Sequence, residues 1–368
     1  MTASPATPAR DDVPATSPGP GPVPPSAPTR PAAPGQEPTV AGTASRGGSQ
    51  VLIRLLVALV VLVGLSLVTG VVTLNPVKLL LGRLGPQDTT LLVESRIPRT
   101  AAAALAGAAM ATAGALMQLL VRNRFVAPST TGTVQFATAG ILAATVLAPS
   151  ASMTAKMGAG AASAAVGSAL FLWLLRRLPV HRPNDVLVPL VGIMLAGVVE
   201  AATTFVAWRL DLMQTLGAWT SGDLSGKVAG RYELLWGVGV MTLVAWFAAD
   251  RFTVAGLGRD RAVGLGLAYD RTMALGMVIV SLTSAVTVVV VVGSLPFLGL
   301  VVPNMVSLVA GDSLRRSLPW MAVGGAVMVL ACDVLGRLVN HPYEISVGLV
   351  MGVVGSLLFL IMLLRSTR

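Results

Sequence analysis

Charged residues are scarce in this chain: Asp, Glu, Lys and Arg make up 11% of its 368 residues, whereas soluble domains carry about 25%. Hydrophobic residues make up 54%, which is more than a water-soluble core can bury. Several runs also reach the roughly 20 apolar residues needed to span a bilayer. Because lipid offers no partner to unpaired backbone groups, we predict an all-α integral membrane protein. The shorter alternating segments of a membrane β-barrel do not occur in the sequence.

The sequence has few residues that could perform chemistry. None of its three lysines lies in the Gly-x-x-x-x-Gly-Lys-Ser/Thr context of a nucleotide-binding loop. The two histidines, His181 and His341, form no His-Glu-x-x-His pair, and no His, Cys and carboxylate cluster has metal-ligand spacing. We therefore expect no catalytic residues, no bound metal and no directly bound cofactor. A membrane-embedded enzyme would need a constellation that the sequence does not contain.

The first 49 residues differ in composition from the rest of the chain. They hold twelve of the 24 prolines and no apolar run, so they are not a cleavable signal peptide. A segment of this kind cannot bury enough apolar surface to fold. We predict a disordered, proline-rich cytoplasmic tail over 1–49 and a transmembrane domain over 50–368.

The hydrophobic pattern of this second region predicts about ten transmembrane helices. One of them, 297–310, is short, and Pro296 and Pro303 would tilt or break it. The predicted spans are 51–74, 99–121, 129–147, 154–175, 186–208, 233–249, 272–292, 297–310, 318–338 and 345–364.

The distribution of basic residues predicts the orientation. With the N-terminus in the cytoplasm, 17 of the 26 Lys and Arg residues fall on the inner side, as the positive-inside bias requires. We therefore predict a multi-pass protein with both termini cytoplasmic. The same bias explains the formal charge of +10 without nucleic acid as a partner.

Two arginines lie at the start of the second predicted span on the outer side, against this bias: Arg96 precedes the span and Arg99 begins it. They could dock an acidic surface of an extracellular partner, because Arg pairs with carboxylates through several donors. Alternatively, they are helix-end residues whose head groups reach the interface.

Two loops on the predicted inner side offer further candidates. Asn123 and Phe125 follow the second span and could belong to an inner constriction. The polar interruption 250–271 includes Arg259 to Leu267, which could form a short helix that fits a groove of a separate motor subunit. As an alternative, the interruption is an ordinary loop.

Glu200, Asp333 and Arg337 lie within predicted spans, where charges are usually paired or functional. Asp333 and Arg337 are four residues apart and share a helix face, which indicates an ion pair. Glu200 has no evident local partner. It could line a pathway, bond to a neighbouring helix or carry a proton.

Several motifs together resemble the permeases of the iron–siderophore, haem and vitamin B12 ABC importers, over roughly residues 52–365. The most specific of them is the segment from Phe297 to Pro303. The residues that carry the resemblance are Arg96-Ile97-Pro98-Arg99, Gly107, Ala113 to Gln118, Arg122-Asn123, Pro128, Thr131-Gly132, Gly258, Ala262, Leu265, Gly266, Phe297 to Pro303, Asp333, Arg337, Glu344 and Gly348.

The resemblance implies a type II ABC importer permease fold and a set of partners. Arg96, Arg99 and Arg337 would pair with acids on an extracellular siderophore-binding protein. Asn123 and Phe125 would narrow the inner exit. Two ATP-binding subunits would supply ATP hydrolysis, and they would dock on the coupling loop, formed by Gly258, Ala262, Gly264, Leu265 and Gly266.

Departures from the family pattern favour one branch. Asn304 stands where many members carry His, Arg259 where many carry Glu, and Arg124 where Pro is common. With Val134 to Ala137 and Gly311-Asp312, they resemble the branch associated with catecholate siderophores. That branch often pairs two different permeases, so a heterodimer is favoured over a homodimer.

The sequence thus predicts the permease subunit of an ATP-driven importer of iron–siderophore complexes in the cytoplasmic membrane. The alternative is a proton-coupled secondary transporter that uses Glu200 and Asp333 as proton sites.

Overall fold

The structure is a computed structural model that describes residues 41–70, 74–83, 85–177, 187–222, 224, 234–287, 293–311, 313–340 and 343–366. The chain divides into two units, Met1–Gly42 and Thr43–Arg368. Nearly all of the first unit lies outside the described residues, as do His181 and His341. The predicted disorder of the proline-rich tail therefore stays a prediction.

The described part of the second unit is helical and contains no strand. A π-helical turn, Leu92–Arg96, joins α3 to α4. The helices are α1 Ala41–Val68, α2 Pro76–Leu80, α3 Pro86–Leu91, α4 Ile97–Val121, α5 Thr133–Leu147, α6 Met153–Arg177, α7 Leu187–Arg209, α8 Met213–Thr220, α9 Leu234–Phe247, α10 Ala249–Gly256, α11 Arg259–Gly264, α12 Tyr269–Val286, α13 Leu298–Ala310, α14 Leu314–Val339 and α15 Val347–Ser366.

Each of the ten predicted spans overlaps one of these helices, although 71–73 and 288–292 lie outside the described residues. Among the described residues, six helices are long and apolar enough to cross a bilayer by themselves, and a seventh span results if the bent pair α9 and α10 counts as one. The helices α5 and α13 are apolar but shorter. The predicted short span is confirmed in α13, which has 13 residues with Pro303 inside it.

The helix α4 lies at the centre of the bundle and packs against α9, α10, α12, α13 and α14. Glycines allow its closest approaches. A Cβ added at Gly107 would lie 2.3 Å from the carbonyl oxygen of Gly325 in α14, and one at Gly114 would lie 2.1 Å from that of Gly299 in α13. Helices in lipid associate through such close packing, because no hydrophobic drive acts between them.

Two predicted boundaries differ from the structure. The helix α1 begins at Ala41, within the predicted tail; the last proline of that segment is Pro38, so no proline interrupts α1. The segment before α4 is helical from Pro86, and a π-helical turn carries it into α4. Arg96 and Arg99 therefore lie within a continuous helical segment that begins before the predicted span.

Candidate functional site

The first candidate site is a buried arginine cluster, formed by Arg96, Arg99, Asp333, Arg337 and Glu344 at the N-terminal end of α4. Arg99 donates to Asp333 Oδ1 from Nη2 at 2.8 Å and from Nε at 3.2 Å. Its Nη1 donates to Glu344 Oε2 at 2.6 Å. Arg337 pairs with the other oxygen of Asp333, so both carboxylate oxygens are occupied. The predicted Asp333–Arg337 ion pair is confirmed.

Two of these arginines also tie the end of α1 to the cluster. Arg337 donates to the carbonyl oxygen of Ser66 at 3.0 Å and of Thr69 at 2.8 Å. Arg96 donates to the same Thr69 oxygen at 2.6 Å. A Cβ at Gly70 would lie 1.7 Å from Arg96 Nη1. Only glycine at this position therefore leaves space for the Arg96 guanidinium.

The structure buries all three arginines predicted to dock a binding protein; each side chain is engaged inside the chain. The cluster holds three cationic and two anionic side chains, and Glu344 keeps a partly exposed carboxylate. Glu344 was noted only as part of a motif, and its pairing with Arg99 was missed. No local pattern could reveal it, because 245 positions separate the two residues.

The second candidate site is a polar cavity of about 340 Å³ that lies against α5, α7 and α8. Glu200, near the middle of α7, opens into it and also into an adjoining surface recess with Phe205 and Trp208. Glu200 is exposed and forms no ion pair with any described residue. The residues that line the cavity are Val134, Gln135, Thr138, Glu200, Thr203, Thr204, Met213, Leu216, Gly217, Thr220 and Ser294.

Three glycines pack together where the cavity ends. The amide of Gly348, at the start of α15, donates to the carbonyl oxygen of Gly222 at 3.1 Å. A Cβ at Gly348 would lie 2.6 Å from the Ser221 oxygen, and one at Gly293 would lie 2.6 Å from the Gly222 nitrogen. Backbone contact at this junction fixes the adjacent Thr220 and Ser294, which line the cavity.

The predicted coupling loop contains a short helix, as the interpretation of Arg259 to Leu267 required. The helix α11 follows Gly258, whose φ of +101° suits glycine. Ala262 is fully buried and anchors the helix to the body of the protein. Leu265 is 67% exposed, and Gly264 and Gly266 have open space around them. An exposed apolar side chain beside two unhindered glycines is a surface on which another subunit could pack.

The predicted inner-gate residues lie at the opposite end of α4 from the arginine cluster. Asn123 is buried, and its Oδ1 accepts a hydrogen bond from the Phe125 amide at 2.8 Å. The Phe125 ring meets the ring of Phe359 in α15 edge-on, with 6.2 Å between ring centroids. The Phe359 ring stacks on that of Phe297, with 6.4 Å between centroids. Phe359 could not be predicted from the sequence, because no local pattern associates α15 with the loop after α4.

Glu200 and Asp333 do not come together. Asp333 is enclosed by Arg99 and Arg337, whereas Glu200 lines the polar cavity. The other polar residues of that cavity were not predicted as site residues, and Gln135 entered only within the branch motif Val134 to Ala137. Their spacing carries a signal: Gln135 and Thr138 are three apart on α5, and Thr203 and Thr204 follow Glu200 by three and four positions on α7. The described residues contain no group of three or more possible metal ligands.

Comparison with known proteins places these sites in a family. The sequence profile described as the FecCD transport family matches residues 57–365. The petrobactin import system permease protein YclN of Bacillus subtilis is 43% identical over 311 residues, which cover 84% of this chain and 97% of that protein. The ferric-anguibactin transport system permease protein FatD of Vibrio anguillarum is 37% identical over 75% of this chain and 87% of its own length.

Solved structures agree on the fold. A metal-chelate type ABC transporter in an inward-facing conformation matches with a TM-score of 0.73 at 20% identity, over 86% of this chain and 99% of that one. A second match is PsaBC from Streptococcus pneumoniae, with a TM-score of 0.54 at 14% identity, over 72% of this chain and 89% of that one.

Proposed function

The chain belongs to the FecCD transport family, and from this premise we propose that it is the permease subunit of an ATP-driven importer of iron–siderophore complexes, with catecholate siderophores favoured. The observation that carries the proposal is its similarity, over nearly their full lengths, to permeases named for petrobactin and anguibactin import. The residue variants around Gln135 and Asn304 point to the same branch.

A protein of this kind translocates its cargo and leaves ATP hydrolysis to partner subunits. Two ATP-binding subunits would pack against α11 and the exposed Leu265. Closure of the ATPase pair would move α11 and, through α10 and α12, the bundle to which Ala262 anchors it. The permease itself holds no cofactor, and ATP acts through the partner.

A second permease subunit would complete the pathway. The helix α7 presents Ile193, Met194 and Val198 to the outside, next to the exposed Glu200. A charged side chain inside a span needs a partner or an aqueous cavity. A second permease on this face would enclose Glu200 in a shared pathway and shield it from lipid. We favour a heterodimer on the branch resemblance.

The arginine cluster lies at the end of the bundle opposite Asn123 and Phe125. We place it on the outer side of the cytoplasmic membrane, with both termini in the cytoplasm, in agreement with the bias of basic residues. The excess positive charge of the cluster would attract acids on an extracellular siderophore-binding protein. Phe125, Phe359 and Phe297 would then form the constriction at the inner exit.

The test is uptake of radioactive iron, supplied as a ferric catecholate, by cells with and without this gene. The proton gradient is collapsed while ATP is maintained. We expect uptake that depends on the gene and survives the collapse. Uptake that disappears with the gradient would contradict the ATP-driven assignment, and no gene-dependent uptake would contradict the catecholate assignment.

A further inference from the structure

We infer that the polar cavity around Glu200 is a specificity site for cationic, hydrogen-bond-donating side arms of the chelate, such as protonated amines. This inference rests on the proposed function and names the substrate class. Glu200 lies about 20 Å along α7 from its start and about 14 Å from its end, near the middle of a span. An ionisable residue at such a depth indicates a functional site.

Three of the five hydroxyl groups that line the cavity use their hydrogen within their own helix. Thr138 donates its hydroxyl hydrogen to the Val134 carbonyl at 3.0 Å, and Thr220 donates to the Leu216 carbonyl at 3.0 Å. Thr203 likewise donates to the carbonyl oxygen one turn earlier in α7, at 2.7 Å. Each hydroxyl has a single hydrogen, so these three groups present only lone pairs to a ligand.

Gln135 adds an independent observation. Its Oε1 is buried and has no hydrogen-bond partner among the described residues, although it belongs to a residue that lines the cavity. A buried acceptor without a donor destabilises a structure by about 1–3 kcal/mol, so such groups usually have a partner. A ligand that donates an N–H or O–H group would supply one.

The charge of the cavity lining also favours a cationic ligand. Its described lining contains the Glu200 carboxylate and no Lys, Arg or His. A ferric catecholate centre is anionic, because the catecholate oxygens outweigh the charge of Fe(III), so Glu200 would repel the metal centre. A protonated amine beside that centre would be attracted and would form the stronger, charge-assisted type of hydrogen bond. The cavity therefore orients a cargo by its amine-bearing arm.

The size of the cavity agrees with an arm rather than a whole complex. About 340 Å³ lies at the lower end of the range for small-molecule pockets, which runs from roughly 300 to 1,000 Å³. The metal centre would then sit in the wider pathway between the two permease subunits, away from the Glu200 carboxylate.

The experiment compares two iron-55 probes in cells that carry the whole importer. One is a ferric catecholate with secondary amines in its linker, and the other is the same chelator with those amines acetylated. Glu200→Gln should lower uptake of the amine probe about tenfold and leave that of the acetylated probe within about twofold. Gln135→Leu should act in the same direction with a smaller effect. Asp88→Asn, which removes a carboxylate outside the cavity, is the control.

The results separate this inference from the proposed function. Equal losses for both probes in Glu200→Gln, at unchanged membrane levels of the protein, would overturn the inference and leave an importer with a structural glutamate. Unchanged uptake of both probes would overturn it as well. If the wild-type importer takes up neither probe, the proposed function fails and the inference fails with it.

Discussion

Arg99 and Asp333 lie 234 positions apart in the chain, yet two nitrogens of the Arg99 guanidinium donate to one oxygen of the Asp333 carboxylate. The pair joins α4 to α14, and Glu344 extends it to the segment before α15. This buried ion pair therefore joins α4 to α14 and to the segment before α15, whatever docks above it.

Asp333→Asn should destabilise the protein by about 3–5 kcal/mol, because Arg99 and Arg337 would be left buried with one carboxylate fewer. The measurement is thermal unfolding of the purified protein in detergent. The control is Asp270→Asn, which breaks the exposed Arg259–Asp270 pair, worth about 0–1 kcal/mol. Equal melting temperatures for the two variants would show that the cluster contributes nothing to folding.

Arg96→Gln should weaken docking of the siderophore-binding protein several-fold, because it removes one cationic group from the cluster and leaves the Arg99–Asp333 pair intact. The effect should shrink at high salt, since salt screens the attraction between the cluster and acids on the surface of the binding protein. Binding of the purified binding protein to the reconstituted importer measures it. Arg83→Gln, an exposed arginine before α3, is the control. Unchanged affinity in Arg96→Gln would refute the docking role of this residue.

Leu265→Asp should uncouple ATP hydrolysis from transport, because a charge would replace an exposed apolar contact on the coupling loop. We expect iron uptake to fall at least about tenfold while the permease stays in the membrane. Leu265→Met keeps the apolar character and should transport normally. Copurification of the ATPase with each variant identifies the cause, and normal uptake by Leu265→Asp would exclude this surface from coupling.

Gly348→Ala should destabilise the cavity end of the bundle by about 1–3 kcal/mol, because its Cβ would lie 2.6 Å from the Ser221 oxygen. Gly352→Ala, on the same helix, meets its nearest neighbour at an ordinary 3.7 Å and is the matched control. Thermal unfolding and iron uptake should both fall in the first variant only. Equal melting temperatures and equal iron uptake in the two variants would mean that the backbone around Gly348 can shift to accept a methyl group at little cost.

Phe125→Ala should loosen the constriction that Phe125 forms with Phe359 and Phe297. We expect more ATP hydrolysed per iron complex delivered, because the inner exit would close less tightly. Proteoliposomes with the purified importer allow both quantities to be measured together. Phe247→Ala, an exposed aromatic residue of α9, is the control. An unchanged ratio in Phe125→Ala would argue against a gate at this residue.

The transmembrane helices could be predicted from the sequence because their signal is local. A run of apolar residues must become a helix in lipid, where each backbone donor needs an acceptor within its own segment. The same local reasoning identified the short α13 and the Asp333–Arg337 pair, whose members are one turn apart. It did not extend the second span back to Pro86, because a π-helical turn has no distinct composition.

Long-range relationships were decided by the tertiary structure. The composition and the hydrophobic pattern of the sequence determined that the chain is a helical membrane protein. They also determined which charged residues lie within its predicted spans. Only packing decided that Asp333 is shared by two arginines, that Phe125 meets Phe359, and that the acceptors around Glu200 face one cavity. The physical reason is that hydrophobicity acts on each segment separately, whereas hydrogen bonds and ion pairs act only between groups that packing has brought within about 3 Å.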